Sequence, residues 1–503
     1  MLEVEVHQCL KSFLKNNKYH WHHHLTMARL VARALRLKRS ALIQTGASHH
    51  QYILSYIIPA LLDKSPVIIV VSEELQKQLL DQYIIPLKQQ LNLDKTVEIG
   101  DSWYWEKDFS GVLITTPQIW LSDRLDNLGK FPPDIPTLID EGDNLDIYTQ
   151  EYLSASLKPE NWEELMIKSS EYQELIRNTR IKLTKAIFNR PPNPYECWVI
   201  EDKEKQILSE FFEYLQDKLA LTSTFNKFWQ KWQKESYLLW ASINRKKGQF
   251  SLFCSPINIA KYLTPIWEKQ TVVIMGSCLD TQTNAPIYRR QIGLDDVTCL
   301  KFSPNSNREE FKLYIPKKFP LPNTPKFEGV LVKGINQLLS YSNTLEKPII
   351  ILIDDLPLKS KIGAIIASKF GSKVKVENTN LTKDGILISG WEFWRKYQFK
   401  IPSPQLLIIA TLPLPSLENP LVAGKVEYYK KQKQDWFRLY LLPHSLREIQ
   451  RCVLSIRETQ GVVALFDNRV NYRSYGSQIL ESLEPYAKYN YIDNSWFKLI
   501  INN

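Results

Sequence analysis

Short, mostly apolar segments recur in the first third of the chain and alternate with longer amphipathic stretches. The segments VIIVV (67–71), VLITT (112–116) and TLID (137–140) show no regular polar alternation. Such runs are typical of strands in a parallel sheet that helices cover on both faces. The pattern therefore predicts an α/β domain. A helix over Leu25 to Leu37 and a strand over Ser40 to Gln44 are expected to precede these segments.

The pattern changes between residues 145 and 247, where charged residues and tryptophans are frequent and apolar residues follow a helical period. A second set of apolar segments follows, at PIIILID (348–354), GILISG (385–390), QLLIIATLP (405–413) and GVVALFD (461–467). The sequence therefore predicts an α/β protein with two parallel-sheet lobes and a helical insertion in the first lobe. We assign residues 1–145 and 248–280 to the first lobe, 146–247 to the insertion and 281–503 to the second lobe. FSLFCSPI (250–257) is expected to resume the strands of the first lobe.

Composition narrows the choice of partner and compartment. The chain carries 64 Lys and Arg against 54 Asp and Glu, a net charge of +10 and a pI near 9.0, which fits a nucleic-acid partner without requiring one. No stretch reaches the roughly 18 apolar residues of a membrane span, and the N-terminus lacks the apolar run of a secretory signal. We predict a cytoplasmic protein with no membrane partner, whose six scattered cysteines are reduced.

Short motifs follow one another in order along both predicted lobes. In the first lobe they are LQKQL (75–79), VLITTPQIWLSD (112–123) and TLIDEGDNL (137–145). In the second lobe they are Trp394, LPLPSLENPL (412–421), Leu442-Pro443, QRCVLSIR (450–457), GVVALFDNR (461–469) and Tyr475-Gly476. This ordered series, within about residues 24 to 480, resembles the DinG-type family of superfamily 2 DNA helicases.

The resemblance implies two RecA-like lobes that bind ATP and Mg²⁺ between them and single-stranded or partly duplex DNA across both. The implied activity is ATP-dependent DNA unwinding, and the implied protein partners act in DNA repair or replication. Such proteins often carry an iron–sulfur cluster in the first lobe. No cysteine lies between Cys9 and Cys197 in this chain, so we predict that the cluster is absent.

The phosphate-binding loop implied by the resemblance falls within ALIQTGASHHQYIL (41–54). Its candidate nucleotide-binding residues are Thr45, Gly46, Ser48, His49 and His50. A phosphate cradle needs glycines for close backbone approach and a lysine that reaches the β- and γ-phosphates, yet no lysine lies between Lys38 and Lys64. A neutral histidine does not replace that ammonium group. Impaired ATP hydrolysis is expected, and a plain strand-to-helix turn is the alternative interpretation.

Candidate catalytic residues lie in both lobes. Asp140 and Glu141 end a predicted buried strand, where the resemblance implies a Mg²⁺ ligand at Asp140 and a water-orienting carboxylate. A helix N-cap is the structural alternative. In the second lobe the implied residues are Gln450 and Arg457, seven positions apart and hence on one helix face, while Leu454 replaces the family's other arginine. Asp140 and Arg457 are expected to point into the cleft from opposite walls.

Several neighbouring positions depart from the family. Gly142 and Asp143 replace Ala and His, and the segment Met275 to Leu279 lacks the threonines expected of a coupling loop. These changes weaken the expected link between ATP and the second lobe. Asp467 and Arg469 form either a structural ion pair or part of the catalytic site.

Candidate nucleic-acid contacts combine rings with cations. Trp394 is followed by Arg395 and Lys396, where the family has an acid and a glycine, which makes the surface between the lobes more basic. In the insertion, Trp229 and Trp232 are interleaved with lysines. These two tryptophans lie three positions apart and share a helix face, so packing in a core is at least as good an explanation.

Two further clusters have weaker functional interpretations. The histidines at 20, 22, 23 and 24 flank Trp21, but adjacent histidines diverge and no acidic or cysteine partner is evident. The resemblance implies that this segment contacts adenine rather than metal. The run KKQK (430–433) is a candidate phosphate contact or a solvated surface.

The leading hypothesis is a DinG-like helicase-family protein that binds nucleic acid and has impaired ATP hydrolysis. The alternative is a catalytically inactive pseudo-helicase that acts as a scaffold in DNA repair or replication. Salt-sensitive binding of single-stranded DNA favours the first hypothesis, because neutralised phosphates release counterions.

Overall fold

The computed structural model describes residues 1–17, 21–103, 109–216, 222–234, 236–304, 310–342 and 346–497. The strands of this part are β1 (Ala41–Gln44), β2 (Val67–Val70), β3 (Val97–Ile99), β4 (Val112–Thr115), β5 (Thr137–Ile139), β6 (Ala155–Leu157), β7 (Cys197–Val199), β8 (Tyr237–Asn244), β9 (Gln249–Pro256), β10 (Val272–Gly276), β11 (Thr298–Lys301), β12 (Phe311–Tyr314), β13 (Ile349–Leu352), β14 (Val374–Val376), β15 (Ile386–Ser389), β16 (Leu406–Ile409), β17 (Val462–Leu465) and β18 (Tyr486–Tyr489).

The α-helices of the same part are α1 (Leu2–Asn16), α2 (His24–Leu37), α3 (His49–Tyr52), α4 (Leu54–Leu62), α5 (Glu73–Gln78), α6 (Ile85–Leu91), α7 (Pro117–Asp126), α8 (Leu145–Leu153), α9 (Pro159–Lys168), α10 (Gln173–Phe188), α11 (Asp202–Gln216), α12 (Ser223–Trp232), α13 (Ala260–Trp267), α14 (Pro286–Ile292), α15 (Phe327–Tyr341), α16 (Leu356–Phe370), α17 (Trp391–Tyr397), α18 (Pro420–Lys431), α19 (Leu442–Cys452), α20 (Leu454–Thr459), α21 (Arg469–Tyr472) and α22 (Gly476–Leu483). Two π-helical turns cover Leu79–Ile84 and Phe437–Leu441.

The first sheet is parallel throughout, in the order β11-β1-β10-β5-β2-β4-β3. Its central strands are buried along their whole length, because helices cover both faces. The register places Ile43 beside Met275, and Ile69 between Ile114 and Leu138. The predicted parallel sheet of the first lobe is confirmed.

The second sheet is also parallel throughout, in the order β14-β15-β13-β16-β17-β12-β18. Its four central strands, β15, β13, β16 and β17, are the four that the sequence predicts, and all are buried. Strands β12, β14 and β18 flank them and were not predicted. Each is three or four residues long and contains a lysine, so its apolar pattern is weak.

The insertion is not purely helical. Strands β6, β9, β8 and β7 form an antiparallel sheet, against which α9 to α12 pack through one apolar core. The expectation that FSLFCSPI (250–257) resumes the first lobe is wrong, since β9 pairs with β8 in a hairpin. Trp229 and Trp232 are 6% and 8% exposed, and Trp229 stacks on Phe212 at 4.5 Å. The core-packing interpretation of these two tryptophans is confirmed.

The boundary between the lobes lies later than residue 281. Strand β11 pairs in parallel with β1, with Ala41 beside Thr298, so the first sheet continues to Lys301. The chain reaches the second sheet only at Phe311, where β12 begins. Strand β11 was not predicted because its sequence, TCLK, has a single strongly apolar residue flanked by polar ones.

Gly476 provides a test of the close packing around the Tyr475-Gly476 landmark. A β-carbon at Gly476 would lie 2.0 Å from the carbonyl oxygen of Val470. Gly476→Ala should therefore destabilise the protein by about 1–3 kcal/mol or more, because the backbone must shift. Gly329→Ala is the matched control, since a β-carbon there meets no atom within 4 Å and helix propensity favours alanine by up to about 1 kcal/mol. Chemical denaturation measures both, and equal stabilities would contradict the expectation.

Candidate functional site

Asp140 lies at the carboxyl end of β5 and is 1% exposed. Its Oδ1 accepts hydrogen bonds from the Tyr52 hydroxyl and the Glu141 N–H, each at 2.7 Å. Its Oδ2 accepts a hydrogen bond from the Tyr56 hydroxyl at 2.7 Å and lies 2.7 Å from His49 Nδ1. A carboxylate offers about four acceptor positions. Three hydrogen bonds and the close contact with His49 therefore engage both carboxylate oxygens of Asp140.

Burial and pairing set the protonation of this cluster. Burial opposes the charged form of Asp140, but the charge of His49 and the hydrogen bonds bring its pKa below the usual value. Burial and the charge of Asp140 raise the pKa of Tyr52 and of Tyr56 far above the usual range, so both remain hydrogen-bond donors. Burial lowers the pKa of His49, and Asp140 more than offsets this, so the net shift is upward.

Glu141 has a left-handed backbone conformation, with φ of 55°. Its Oε2 accepts a hydrogen bond from the Ser72 N–H at 3.1 Å, which turns the side chain toward the end of β2. Burial and the charge of Asp140 raise its pKa, and the Ser72 contact opposes that shift. Glu141 lines a cavity of 160 Å³ between the lobes, which we call the Glu141 cavity. Asp140 is not among the residues that line it.

Asp143 connects three parts of the molecule. Its carboxylate accepts hydrogen bonds from the N–H groups of Ser277 and Cys278, both at 2.7 Å, in the loop after β10. The same carboxylate lies 3.3 Å from the guanidinium of Arg451 in α19. Gly142 permits this approach, because a β-carbon there would lie 2.9 Å from the Met275 carbonyl oxygen. The departures at 142 and 143 thus couple the β10 loop directly to the second lobe.

The candidate phosphate-binding loop is covered by neighbouring segments. Gly46 has φ of 61°, and a β-carbon there would lie 2.9 Å from the carbonyl oxygen of Phe302. Ser48 donates a hydrogen bond to Glu458 of α20 at 3.0 Å, and His50 lies 3.3 Å from the same carboxylate. Thr45 is buried, and its hydroxyl bonds to backbone carbonyls. The side chains of Thr45, Ser48 and His50 are therefore engaged by other parts of the protein.

Gln450 and Arg457 line one cavity of 350 Å³ together with Gly46. The expectation that Arg457 and Asp140 point into the cleft from opposite walls is wrong. The Arg457 guanidinium donates hydrogen bonds to the carbonyls of Leu483, Glu484 and Pro485, at 2.7, 2.8 and 3.0 Å. Arg457 therefore holds the segment before β18 in place. Asp140, in contrast, faces α3 and α4. Local sequence could not indicate this, since the carbonyls lie 26–28 positions away.

Of the three candidate nucleic-acid residues, Trp394 is buried, whereas Arg395 and Lys396 reach a cavity between the lobes. Trp394 is 1% exposed within the core of the second lobe, so the expectation of a ring available for stacking is wrong for this conformation. Arg395 and Lys396 both line the Glu141 cavity. Arg395 lies 3.3 Å from Glu448, whereas Lys396 is exposed and lies over the ring of Tyr397.

The remaining candidate clusters have structural partners. Asp467 and Arg469 form the structural ion pair, with Arg469 Nε 2.9 Å from Oδ1. His24 lies 2.8 Å from the Ser55 hydroxyl, and His23 lies 3.0 Å from the Ser303 carbonyl oxygen. Residue 20 lies outside the described residues.

Within the described ranges, no group of three or more His, Cys, Asp or Glu side chains is arranged to hold a metal ion. The absence of an iron–sulfur cluster stays a prediction. Over the same ranges, every helix is too short or too polar to cross a bilayer. In the run KKQK, Lys430 lies over the Trp436 ring and Lys431 pairs with Glu427.

A further cavity, of 320 Å³, lies where α8, α14, α18 and α19 meet. We call it the tyrosine cavity. Its walls include Arg290, Lys425, Tyr428, Tyr429, Tyr440 and Arg447. Rings and cations are thus concentrated here rather than at Trp394. A signal for it was present in the sequence, since LVAGKVEYYKKQ (421–432) contains three lysines and two adjacent tyrosines.

Residues 349–486 match the model of the helicase C-terminal domain family. The chain is 24% identical over 265 residues to the ATP-dependent DNA helicase YoaA of Haemophilus influenzae, covering 49% of this chain and 40% of that protein. It is 20% identical over 264 residues to the ATP-dependent DNA helicase DinG of Photobacterium profundum, covering 48% and 38%. The chain therefore spans less than half the length of these relatives.

Solved structures extend the similarity to almost the whole chain. An apo structure of XPD gives a TM-score of 0.62 at 13% identity, covering 92% of this chain and 100% of that one. Xpd4 of S. tokodaii gives 0.60 at 14% identity, covering 93% and 99%. The chain is therefore similar to helicases of the DinG and XPD type, in sequence over its second lobe and in fold over almost its whole length. Its two parallel sheets correspond to the two RecA-like lobes of that fold.

The structure also reveals a feature of this DinG/XPD-like chain that the motif series did not. His49, Tyr52 and Tyr56 recur at spacings of three and four, which puts them on one helical face. That face meets Asp140. A run of three hydrogen-bonding side chains on the helix after the phosphate loop was the available signal.

The Asp140 cluster can be tested by stability. Asp140→Ala would leave two buried hydroxyls without an acceptor and His49 without its counterion. We expect a loss of about 3–5 kcal/mol in the free energy of unfolding. Glu141→Gln is the control, because its amide oxygen can still accept from Ser72, and a change of about 1 kcal/mol or less is expected. Denaturant titration measures both; an Asp140→Ala protein as stable as the parent would show that the carboxylate is not a structural centre.

Proposed function

We propose that this chain is a nucleic-acid-binding member of the DinG/XPD-like helicases in which ATP hydrolysis is severely impaired. The observation that carries the proposal is that Tyr52, Tyr56, Glu141 and His49 contact both carboxylate oxygens of Asp140. The fold would then keep the surface that binds nucleic acid while lacking the residues that hydrolyse ATP.

The residues present do not fit a Mg²⁺–nucleotide complex at Asp140. A Mg²⁺ ion requires a carboxylate oxygen with a free lone pair and near-ideal octahedral geometry. Releasing Asp140 would leave two phenol hydroxyls buried without an acceptor, at about 1–3 kcal/mol each. The loop at 45–50 supplies no ammonium group, and losing one such transition-state donor costs about 100- to 1000-fold in rate.

The supports for nucleic-acid binding are separate from the nucleotide region. The relatives at 24% and 20% identity are described as DNA helicases. In the tyrosine cavity, cations outnumber acids by five to three. The combination of tyrosine rings and basic side chains suits single-stranded nucleic acid, whose bases stack on aromatic faces while its phosphates attract cations.

A scaffold role is the second candidate, and one observation favours it. Ile167 of α9, Ile181 of α10 and Tyr214 of α11 are 81%, 45% and 45% exposed on the adjoining helices of the insertion. Exposed apolar side chains on neighbouring helices are typical of protein-contact surfaces. A scaffold that makes no nucleic-acid contact would lack salt-sensitive oligonucleotide binding.

The impaired-hydrolysis proposal predicts no DNA-stimulated ATP turnover. Phosphate release should be the same for the wild type and for His49→Ala, with and without single-stranded DNA, because the site lacks its ammonium donor in both. A coupled phosphate assay on the full chain measures this. Turnover by the wild type that rises on adding DNA and falls in His49→Ala would refute the proposal.

Nucleic-acid binding should be independent of nucleotide and sensitive to salt. With Z neutralised phosphates, the logarithm of the binding constant should fall with slope about −0.7Z against the logarithm of salt concentration for a single strand. Arg290→Ala should lower Z by about one phosphate contact and so make the slope shallower. Lys431→Ala removes a lysine already paired with Glu427 and should leave the slope unchanged. Fluorescence anisotropy over a salt series measures the slope. A slope near zero for the wild type would favour the scaffold candidate.

A further inference from the structure

The tyrosine cavity has the composition of a base-binding pocket as well as a basic groove. Its 320 Å³ lies at the lower end of small-ligand pockets, about 300–1000 Å³. Elements of both lobes form its walls: the segment at 257–259 and α14 from the first, α18 and α19 from the second. A ligand held here therefore contacts both lobes at once.

One wall carries an aromatic pair. The rings of Tyr429 and Tyr440 are nearly parallel, with centroids 6.1 Å apart and an interplanar angle of 18°. Lys425 Nζ lies 5.6 Å from the Tyr440 ring centroid. All three side chains are partly exposed and line the cavity, so a planar group in the cavity can reach the aromatic pair. Offset stacking on such rings is favourable for any π-system.

The cavity also contains groups that pair with the edges of planar heterocycles. Amides of Gln150, Asn258, Gln291 and Gln434 line the cavity. Among the described residues, Gln291 Oε1 is buried without a hydrogen-bond partner. An unpaired buried acceptor costs about 1–3 kcal/mol, and a ligand that brings an N–H group would remove this cost.

The charges of the cavity favour an anionic backbone. Its three acids are all paired, since Asp146 lies 3.3 Å from Arg447, Asp143 lies 3.3 Å from Arg451 and Glu448 lies 3.3 Å from Arg395. Arg290 is exposed and forms no ion pair with any residue that the structure describes. Its guanidinium, at the mouth of the cavity, is thus available for a phosphate.

We propose that the tyrosine cavity holds one unstacked nucleobase of single-stranded nucleic acid, with Tyr440 and Tyr429 as the stacking platform and Arg290 on an adjoining phosphate. This inference rests on the proposed function and adds to it a contact with the base itself. A strand held here is recognised through its bases as well as through its phosphates. Duplex nucleic acid does not satisfy the site, because its bases are stacked inside the helix.

The direct test compares two probes on the full-length wild type. One is a fluorescein-labelled oligothymidylate of about 12 nucleotides, and the other is an abasic oligonucleotide of equal length and charge. Base stacking contributes about 1–3 kcal/mol per base, so the base-containing probe should bind about 5- to 150-fold more tightly in fluorescence anisotropy. Equal affinity for the two probes would overturn the base pocket and leave phosphate-directed binding intact. Salt-sensitive binding of neither probe would overturn the proposed function as well.

Variants locate the effect in the cavity. Tyr440→Leu should remove most of the preference for the base-containing probe and leave the abasic affinity unchanged, while Tyr440→Phe, which keeps the ring, should retain the preference. Tyr429→Leu gives a second, independent loss on the same platform. Tyr472→Leu is the control, because Tyr472 is 65% exposed and lies on α21, outside the cavity. A preference that survives both leucine variants at 440 and 429 would overturn the proposal.

Discussion

The buried carboxylate of Asp140 is the constraint on which the nucleotide region depends. A charge removed from water must be fully paired, because an unpaired buried ion destabilises the fold by several kcal/mol. Here two phenols, one imidazole and one backbone amide supply the pairing. The helix after the phosphate loop has thereby become part of the packing of the first lobe. A divalent cation would have to displace these donors.

The loop at 45–50 has no lysine, and helices α3 and α4 supply His49, Tyr52 and Tyr56 to Asp140. The two lobes also meet directly beside this region, because Arg451 contacts Asp143 and Glu458 contacts Ser48. Side chains of the two lobes are therefore in direct contact around the candidate nucleotide region.

The pattern of apolar residues was sufficient to predict the two lobes, but it could not predict which side chains contact each other. The central strands of both sheets are short, uninterrupted apolar runs, so burial on two faces could be predicted from sequence alone. Strand β9 was assigned to the first lobe instead of the insertion, since an apolar strand does not specify which sheet it joins. Position within a motif series placed Asp140 and Arg457 near the cleft, but it could not show that Arg457 is fastened to carbonyls of residues 483–485. Such long-range partners depend on the tertiary fold.

The insertion packs against the second lobe as well as extending from the first. Helix α18 lies on β7 and β8, and a β-carbon at Gly424 would meet Leu238 at 2.6 Å. Lys425 of the same helix donates a hydrogen bond to Gln150 of α8. Helix α18 thus contacts β7 and β8 on one side and α8 on another. A change in the angle between the two lobes would have to break these contacts or carry the insertion along with the second lobe.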